Sequence, residues 1–428
     1  MSRLALLSRF GLHSRFALLS WFALFALVGA VAGCGAKSGL EVPDAARVVE
    51  VDAGVPPLCL EVPLDAGPVR AALTTPVALA MVDVFFLVDA TGSMSDEIEN
   101  IRAGLSERVV PGVRAVIPDA WFGLGFLGEF PLEPYGPPEV LPYTLSVPMT
   151  SDSRRLESAL TSAPVWGNFD DPEAQVEALY QVATGEGLGE WVPPSSGCAM
   201  GGEGGACFRE SALPVVVLIT DAPMHNGPPG IEPIAPYEVA APLAQPHTYD
   251  QLLEALAARR VLVLGLGATD SERPSSLPHL RALARDTGAV SSSGAPLTFD
   301  IGSAGDGVGP GIVRAIERLA AEVPLDVEAR VEDVPGDGVD ATPLLRGVRP
   351  LRADPADGAR GTTATGFLGV VPGTRVSFEV TVDASALPPS SATRRYPARV
   401  VFVADGRSRL GTVSVLLVVP GTDGGGCP

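Results

Sequence analysis

Oxygen-bearing side chains follow two apolar stretches of the chain and could together bind a divalent cation. Asp89, Thr91 and Ser93 occupy alternate positions directly after the apolar run 82–88, and Asp221 follows a second apolar run. Hard divalent cations prefer such oxygen ligands. Because hydroxyl groups coordinate without adding charge, the ion keeps net positive character and can accept a carboxylate from a partner. The spacing therefore predicts a metal site that binds an acidic group.

A third loop adds further carboxylates, for which the sequence leaves alternatives open. Residues 167–173 read Gly-Asn-Phe-Asp-Asp-Pro-Glu before a predicted helix. Asp170 or Asp171 could act only as a cap of that helix, with proline in its first turn. The acidic pair Asp96 and Glu97, after the first loop, could likewise be only a favourable charge at a helix N-terminus.

Residues 81–321 alternate strand-like and helix-like patterns, which would place these loops at one edge of a sheet. Four runs are near-continuously apolar, as strands buried on both faces should be, and apolar residues at helical spacing lie between them. This alternation predicts an α/β fold with a doubly wound, mostly parallel sheet, in which ligands bind beyond the carboxyl ends of the strands. The four runs are 82–88, 121–126, 213–220 and 261–266.

The first loop resembles the metal-ion-dependent adhesion site of von Willebrand factor A domains, in particular that of the I-like domain of integrin β subunits. Asp89-x-Thr91-x-Ser93 matches the adhesion-site motif, and an acidic pair follows it as in the I-like domain. The resemblance covers residues 81–321. Further matching segments, in the same order along the chain, are 125–131, 167–173 and 220–225.

This resemblance implies three metal sites. Thr91, Ser93 and Glu173 would coordinate a central Mg²⁺ or Mn²⁺ directly, and Asp89 and Asp221 would act mainly through bound water. One coordination position would stay open for an acidic ligand. Two flanking sites would hold Ca²⁺, and their implied ligands are Asp96 and Glu97 for the second site and Glu129, Asn168 and Asp170, with Glu173 bridging, for the third. Glutamate replaces the family's aspartate at positions 97 and 129, and the longer side chains could displace those outer ions.

The N-terminal region has the pattern of an export signal that ends in a lipidated cysteine. Three arginines precede the apolar run 16–33, and small residues lead into Cys34. Val-Ala-Gly-Cys at 31–34 resembles a lipobox, which implies cleavage and lipidation of Cys34. The alternative is a permanent signal anchor, because the run is just long enough to span a bilayer. Gly35 favours the outer membrane, so we expect a lipid-anchored cell-envelope protein of a Gram-negative bacterium.

Four further cysteines in an exported protein suggest two disulfides. Cys198 and Cys207 share one glycine-rich loop and are predicted to pair, and Cys59 and Cys427 would then join the two ends of the folded region. Zinc binding is a weaker alternative, since no Cys-x-x-Cys is present and the four histidines are scattered. The long loop 191–208 is a candidate specificity loop; the alternative is a loop that the disulfide merely pins.

A change of pattern after residue 322 predicts a second, all-β region. The runs 325–331, 374–382, 399–403 and 411–419 are strand-like without a convincing helix among them, as in a small β-sandwich. The predicted organisation is a lipoprotein signal peptide at 1–33, a linker at 34–57, lead-in strands at 58–80 that could belong to the β region, a von Willebrand factor A-like domain at 81–322, a β-sandwich-like domain at 323–420 and a tail at 421–428.

The net charge of the chain and its lack of known catalytic motifs narrow the classes of function that the sequence allows. The net charge of −20 argues against nucleic acid, whose phosphates need clustered Lys and Arg. Motifs of serine hydrolases, zinc proteases and phosphate-binding loops are missing, and His225 is expected to order its loop rather than act as a base. We therefore predict a non-enzymatic protein for adhesion or protein recognition. A structural subunit of an envelope assembly, with metal used only for folding, is the alternative, and a hydrolase is the least favoured class.

Overall fold

The computed structural model describes residues 47–48, 58–65, 67–238, 245–269, 274–303 and 305–428. The predicted signal peptide, Cys34 and all of the linker apart from residues 47–48 lie outside this part of the chain. Within it, no helix is long and apolar enough to cross a membrane.

Strands dominate the described residues and form three sheets. In chain order they are β1 (Arg47–Val48), β2 (Leu58–Glu61), β3 (Val69–Pro76), β4 (Met81–Asp89), β5 (Asp119–Leu127), β6 (Thr144–Thr150), β7 (Leu213–Thr220), β8 (Leu262–Gly267), β9 (Thr298–Asp300), β10 (Leu325–Asp333), β11 (Leu345–Asp354), β12 (Gly361–Thr362), β13 (Gly366–Val370), β14 (Arg375–Val382), β15 (Arg394–Ala404) and β16 (Ser408–Val419). The α-helices are α1 (Ser95–Gly104), α2 (Val110–Val116), α3 (Ser153–Thr161), α4 (Gln175–Thr184), α5 (Tyr249–Arg259), α6 (Leu277–Asp286) and α7 (Val308–Glu322).

The fold class predicted from the sequence, a doubly wound, mostly parallel α/β sheet followed by an all-β domain, is wrong for this chain, which is mostly β. Of the sixteen strands in the described ranges, ten build two sheets of their own, ordered β1-β3-β14-β11 and β12-β13-β10-β15-β16-β2. Strands from both ends of the chain share these sheets. Local patterns underestimate this β structure because the pairing partners lie far apart in sequence: β3 pairs antiparallel with β14 over eight residues.

The remaining six strands form the sheet that carries the candidate site, in the order β6-β5-β4-β7-β8-β9. β4 lies between β5 and β7 and runs parallel to both, with Val88 aligned with Phe126 on one side and Ile219 on the other. Eight of the nine residues of β4 and all eight of β7 are buried, which accounts for their apolar sequences. The carboxyl ends of β4, β5 and β7 therefore lie side by side, and the loops after them share one edge.

Both predicted disulfides are present, Cys198–Cys207 in the glycine-rich loop and Cys59–Cys427 between the two ends of the described chain. Cys59 lies in β2, which pairs parallel with β16 over four residues. The two sheets that contain strands from both ends pack on each other through Phe367, Phe378 and Phe402. The ring of Phe378 lies 5.2 Å from that of Phe367 and 5.7 Å from that of Phe402.

Asp405, in the turn between β15 and β16, should make the stability of this region depend on pH. Its backbone has a φ of 49°, its carboxylate accepts a 2.8 Å hydrogen bond from the backbone N–H of Asp326, and burial raises its pKa from 3.8 to about 6. Because the folded state binds this proton more tightly than the unfolded state, the contribution to stability is fully present below pH 3.8 and is lost as the pH rises through 6.

We expect Asp405→Asn to raise the free energy of unfolding at pH 8 by about 1 to 2 kcal/mol, a value discounted for the partial exposure of the carboxyl group. Asparagine also tolerates a positive φ. The gain should shrink as the pH falls towards 4, as measured by denaturant unfolding across this range. Asp357→Asn, at an exposed acid in the same β region, is the control; equal pH profiles for the two variants would contradict the assignment.

Candidate metal centre

Asp89 ends β4 and organises the first loop from a fully buried position. One carboxylate oxygen accepts hydrogen bonds from the backbone N–H of Thr91 at 3.0 Å and from its hydroxyl at 2.7 Å. The other oxygen accepts a hydrogen bond from the hydroxyl of Thr220, the last residue of β7, at 2.7 Å. Asp89 therefore joins the ends of two neighbouring strands and fixes the direction of the Thr91 hydroxyl.

The hydroxyl groups of Thr91 and Ser93 lie next to each other and to two carboxylates. The Ser93 hydroxyl donates to Asp221 at 3.2 Å, and the Thr91 hydroxyl donates to Asp89. The two hydroxyl oxygens lie 3.2 Å apart, so the proton of Ser93 can point at Asp221, as it would beside a cation, or at Thr91. Two neighbouring ligands of an octahedral ion with bonds of about 2.1 Å are about 3.0 Å apart. The spacing of these two oxygens is therefore close to that of two ligands of one cation.

Glu173 reaches the same place from the third loop. Its side chain is fully buried, and one of its oxygens accepts a 2.8 Å hydrogen bond from the amide of Asn168. The other oxygen has no hydrogen-bond partner among the described residues. Buried carboxylate oxygens without partners are costly, so this oxygen fits the requirement of a metal ligand.

Backbone hydrogen bonds tie the three loops together. The N–H of Trp166 donates to the carbonyl of Ala90 at 2.8 Å, and the N–H of Glu173 donates to the carbonyl of Pro223 at 3.0 Å. The N–H of His225 in turn donates to the carbonyl of Glu173 at 2.9 Å. One small cavity is lined by residues of the first and third loops, of the segment after β7 and of the segment between β8 and α6: Ser93, Asn168, Asp171, Glu173, Asp221, Ala222, Pro223 and Pro274.

The electrostatics of this cluster favour a cation. Burial, followed by the charge of Asp221, raises the pKa of Asp89 from 3.8 to about 7. Burial, followed by the charge of Asp89, raises the pKa of Glu173 well above its ordinary value. Several acidic groups packed out of water cannot all ionise without compensation. A divalent cation would supply that compensation, and the donor set of hydroxyls and carboxylates suits Mg²⁺ or Mn²⁺.

The two predicted ligands of the second site differ in exposure. Asp96 is exposed in the first turn of α1, whereas Glu97 beside it is 3% exposed and has one oxygen without a hydrogen-bond partner in the described chain. Burial raises the pKa of Glu97 from 4.5 to about 7. Gly305, at a φ of 63°, packs so closely that a Cβ atom there would lie 2.9 Å from the Cα of Glu97. No contact brings the two carboxylates together, so a second ion stays a prediction.

At the predicted third site, Glu129 and Asp170 come together with His225, a residue that the sequence predicts only to order its loop. His225 lies 3.0 Å from a carboxylate oxygen of Asp170 and 3.7 Å from one of Glu129. Asn168 instead donates to Glu173 and to the carbonyl of Asp170. The sequence signal for His225 is its position five residues after Thr220, where β7 ends. Its proximity to Glu129 depends on tertiary packing and cannot be read from the local sequence.

Comparisons with known proteins do not assign a family. No family model and no curated protein matches the chain. Two crystal structures of the pilus adhesin SpaC from Lactobacillus rhamnosus GG, one of them in an open conformation, resemble it with TM-scores of 0.34, identities of 14% and 13%, and coverage of 83% and 82% of this chain. The chain spans only 45% and 46% of those adhesin chains. A likeness at this level does not carry function from the adhesin to this protein.

Proposed function

We propose that this chain is a lipid-anchored protein of the cell envelope that binds Mg²⁺ or Mn²⁺ at the Asp89–Thr91–Ser93 loop and, through the ion, recognises an acidic group of a protein partner. The resemblance of this loop to the adhesion site of von Willebrand factor A domains supports adhesion or protein recognition as the role. The anchor at Cys34 lies outside the described residues and rests on the sequence alone.

One observation carries the proposal. The hydroxyl oxygens of Thr91 and Ser93 lie 3.2 Å apart beside Asp89 and Asp221. Ser93 also lines one small cavity with Glu173, which has a buried oxygen without a hydrogen-bond partner among the described residues. Asp89 and Asp221 stand behind the hydroxyls as hydrogen-bond acceptors. They would hold the hydroxyls in place while the neutral ligands leave the ion most of its charge. A bound Mg²⁺ would supply an electropositive coordination position for a carboxylate oxygen.

The surroundings of the cavity allow a partner to reach it. A wider cavity of about 510 Å³ adjoins it and shares Asn168, Asp171, Pro223 and Pro274 with its lining. Phe169, on the wall of the wider cavity, is 53% exposed. Exposed aromatic side chains next to a polar centre are frequent anchors of protein interfaces. A partner could therefore present a carboxylate to the ion while its neighbouring residues pack on the rim.

The test is whether a carboxylate displaces water from a bound ion. The full chain is loaded with Mn²⁺, water proton relaxation is measured, and a short peptide with one aspartate is added beside the same peptide with asparagine. We expect the aspartate peptide alone to lower the relaxation enhancement. Ser93→Ala should weaken Mn²⁺ binding by roughly 10-fold or more, whereas Ser292→Ala, at an exposed serine far from the site in sequence, should leave it unchanged.

Tight Mn²⁺ binding at this site without any response to the aspartate peptide would overturn the recognition role. The metal would then serve folding, and the chain would be better described as a structural subunit of an envelope assembly.

A further inference from the structure

A second group of metal-ligating side chains lies beside the central cluster. Glu129 follows β5, Asp170 belongs to the third loop and His225 follows β7, and one potential ligand atom of each lies within 4.8 Å of the others. Glu129 is fully buried and His225 is 4% exposed, while Asp170 is half-buried. Three different loops therefore deliver one nitrogen and two carboxylates to a nearly dry place.

The hydrogen bonds of His225 determine what its second nitrogen can do. Nδ1 lies 2.9 Å from the backbone carbonyl of Ala235, which can only accept a hydrogen bond, so Nδ1 carries a proton. In the neutral ring, Nε2 then holds a lone pair, and it faces carboxylate oxygens of Asp170 at 3.0 Å and Glu129 at 3.7 Å. A lone pair facing two carboxylates is repulsive unless a cation lies between them or the ring itself is protonated.

The carboxylates leave oxygens free for a cation. One oxygen of Glu129 accepts hydrogen bonds from the Phe130 backbone N–H and from the Tyr237 hydroxyl, both at 2.6 Å. Its other oxygen is buried and has no hydrogen-bond partner among the described residues, and the same holds for one oxygen of Asp170. Such fixing of Glu129 by outer hydrogen bonds, like that of His225 by the carbonyl of Ala235, is typical of metal sites in proteins.

Aromatic rings hold the imidazole in position. The ring of Tyr237 stacks on that of His225 with centroids 4.3 Å apart, and the ring of Tyr135 meets it edge-on at 5.3 Å. Tyr237 thus packs against the histidine and donates to Glu129. The ligand set is already ordered by its surroundings, and little reorganisation would be needed to bind an ion.

We infer that Glu129, Asp170 and His225 bind a first-row transition-metal cation of the Zn²⁺ class at a site distinct from the central one. Imidazole nitrogen together with carboxylate oxygen suits Zn²⁺ and its neighbours, whereas Ca²⁺ takes six to eight oxygens. Neighbouring ligands of a tetrahedral Zn²⁺ with bonds of about 2.0 to 2.1 Å lie about 3.3 Å apart. The observed separations of 3.0 and 3.7 Å bracket that value.

This site departs from the Ca²⁺ site that the family resemblance implies for the same region. That site would use the Asn168 side chain, whose amide here donates to Glu173. The new site needs neither the central ion nor carboxylate recognition, so it stands or falls independently of the proposed function.

The experiment measures Zn²⁺ binding to the purified full chain after removal of metals with a chelator. We expect about one Zn²⁺ per chain in the presence of excess Mg²⁺, and X-ray absorption at the zinc edge should show a nitrogen ligand. His225→Gln and Asp170→Asn should each weaken binding by at least about 10-fold. Asp89→Asn should leave zinc binding intact even if it abolishes Mg²⁺ binding, which separates this site from the central one.

His247→Gln is the matched control, because His247 also contacts a buried carboxylate, that of Glu177, at 2.8 Å, yet belongs to no such cluster in the described chain. Circular dichroism would confirm that each variant folds. Absence of tight Zn²⁺ binding by the wild-type chain, or equal losses in the His225 and His247 variants, would overturn the inference. His225 would then be a protonated partner of two carboxylates and nothing more.

Discussion

We expect Mg²⁺ to raise the free energy of unfolding of the wild-type chain by about 2.7 kcal/mol at a hundredfold excess over its dissociation constant, and to leave that of the Asp89→Asn variant unchanged. The wild-type response follows from selective binding to the folded state, in which the three loops meet. Asparagine keeps the size of Asp89 but removes the charge that accepts the Thr91 and Thr220 hydroxyl protons. Its amide has one oxygen and one NH₂ group, so it can accept from only one of these two hydroxyls, and it offers no negative charge to the ion or to water bound to the ion.

Thermal unfolding with Mg²⁺, Mn²⁺ or a chelator measures this difference. Asp357→Asn serves as the control for loss of an acidic charge, since Asp357 is exposed in the β region, and it should show the full metal response. A Mg²⁺ response that survives in Asp89→Asn would place the ion elsewhere. A folded wild-type chain that responds to no divalent cation would remove the basis of the central site altogether.

The local sequence was more informative about the candidate site than about the fold. Asp89 directly follows one apolar run and Thr220 ends another, and the alternation of strand-like and helix-like patterns predicts that the carboxyl ends of these strands lie at one edge of a sheet. The structure does bring Asp89, Thr91, Ser93, Glu173 and Asp221 together. Strand ends are set by burial and turn residues close in sequence, so local patterns can locate them. Occupation by metal stays a prediction.

The dominance of β structure could not be predicted in the same way. Strand β3, Val-Arg-Ala-Ala-Leu-Thr-Thr-Pro, has no strong alternation, and it becomes a strand because β14 offers it eight pairing positions about 300 residues away. Likewise, nothing near His225 in sequence announces Glu129. Their contact arises from the parallel alignment of β5 and β7 on either side of β4. Long-range pairing of this kind leaves little local signature.

Replacing Cys59 and Cys427 together by serine should lower the free energy of unfolding by up to about 6 kcal/mol, the largest stability effect expected for this chain. The disulfide closes a loop of 368 residues, and the entropy that this closure removes from the unfolded chain grows with the logarithm of the loop length. In the folded state β2 would then be held by its four-residue pairing with β16 and by the packing of Leu58 and Leu60 on the core. Loss of the bond should therefore also favour local opening of β2 before the rest unfolds.

Removal of the second disulfide is the matched comparison, because Cys198 and Cys207 are only nine residues apart. The same relation between loop length and entropy gives a loss of about 2.6 kcal/mol in the free energy of unfolding when Cys198 and Cys207 are both replaced by serine. Denaturant unfolding of both double variants tests the ratio, and hydrogen exchange in β2 tests the local opening. If the two variants lose equal stability, loop length does not govern the effect. The stabilisation would then come from contacts that each bond makes in the folded state, and β2 would be held to β16 by its own packing.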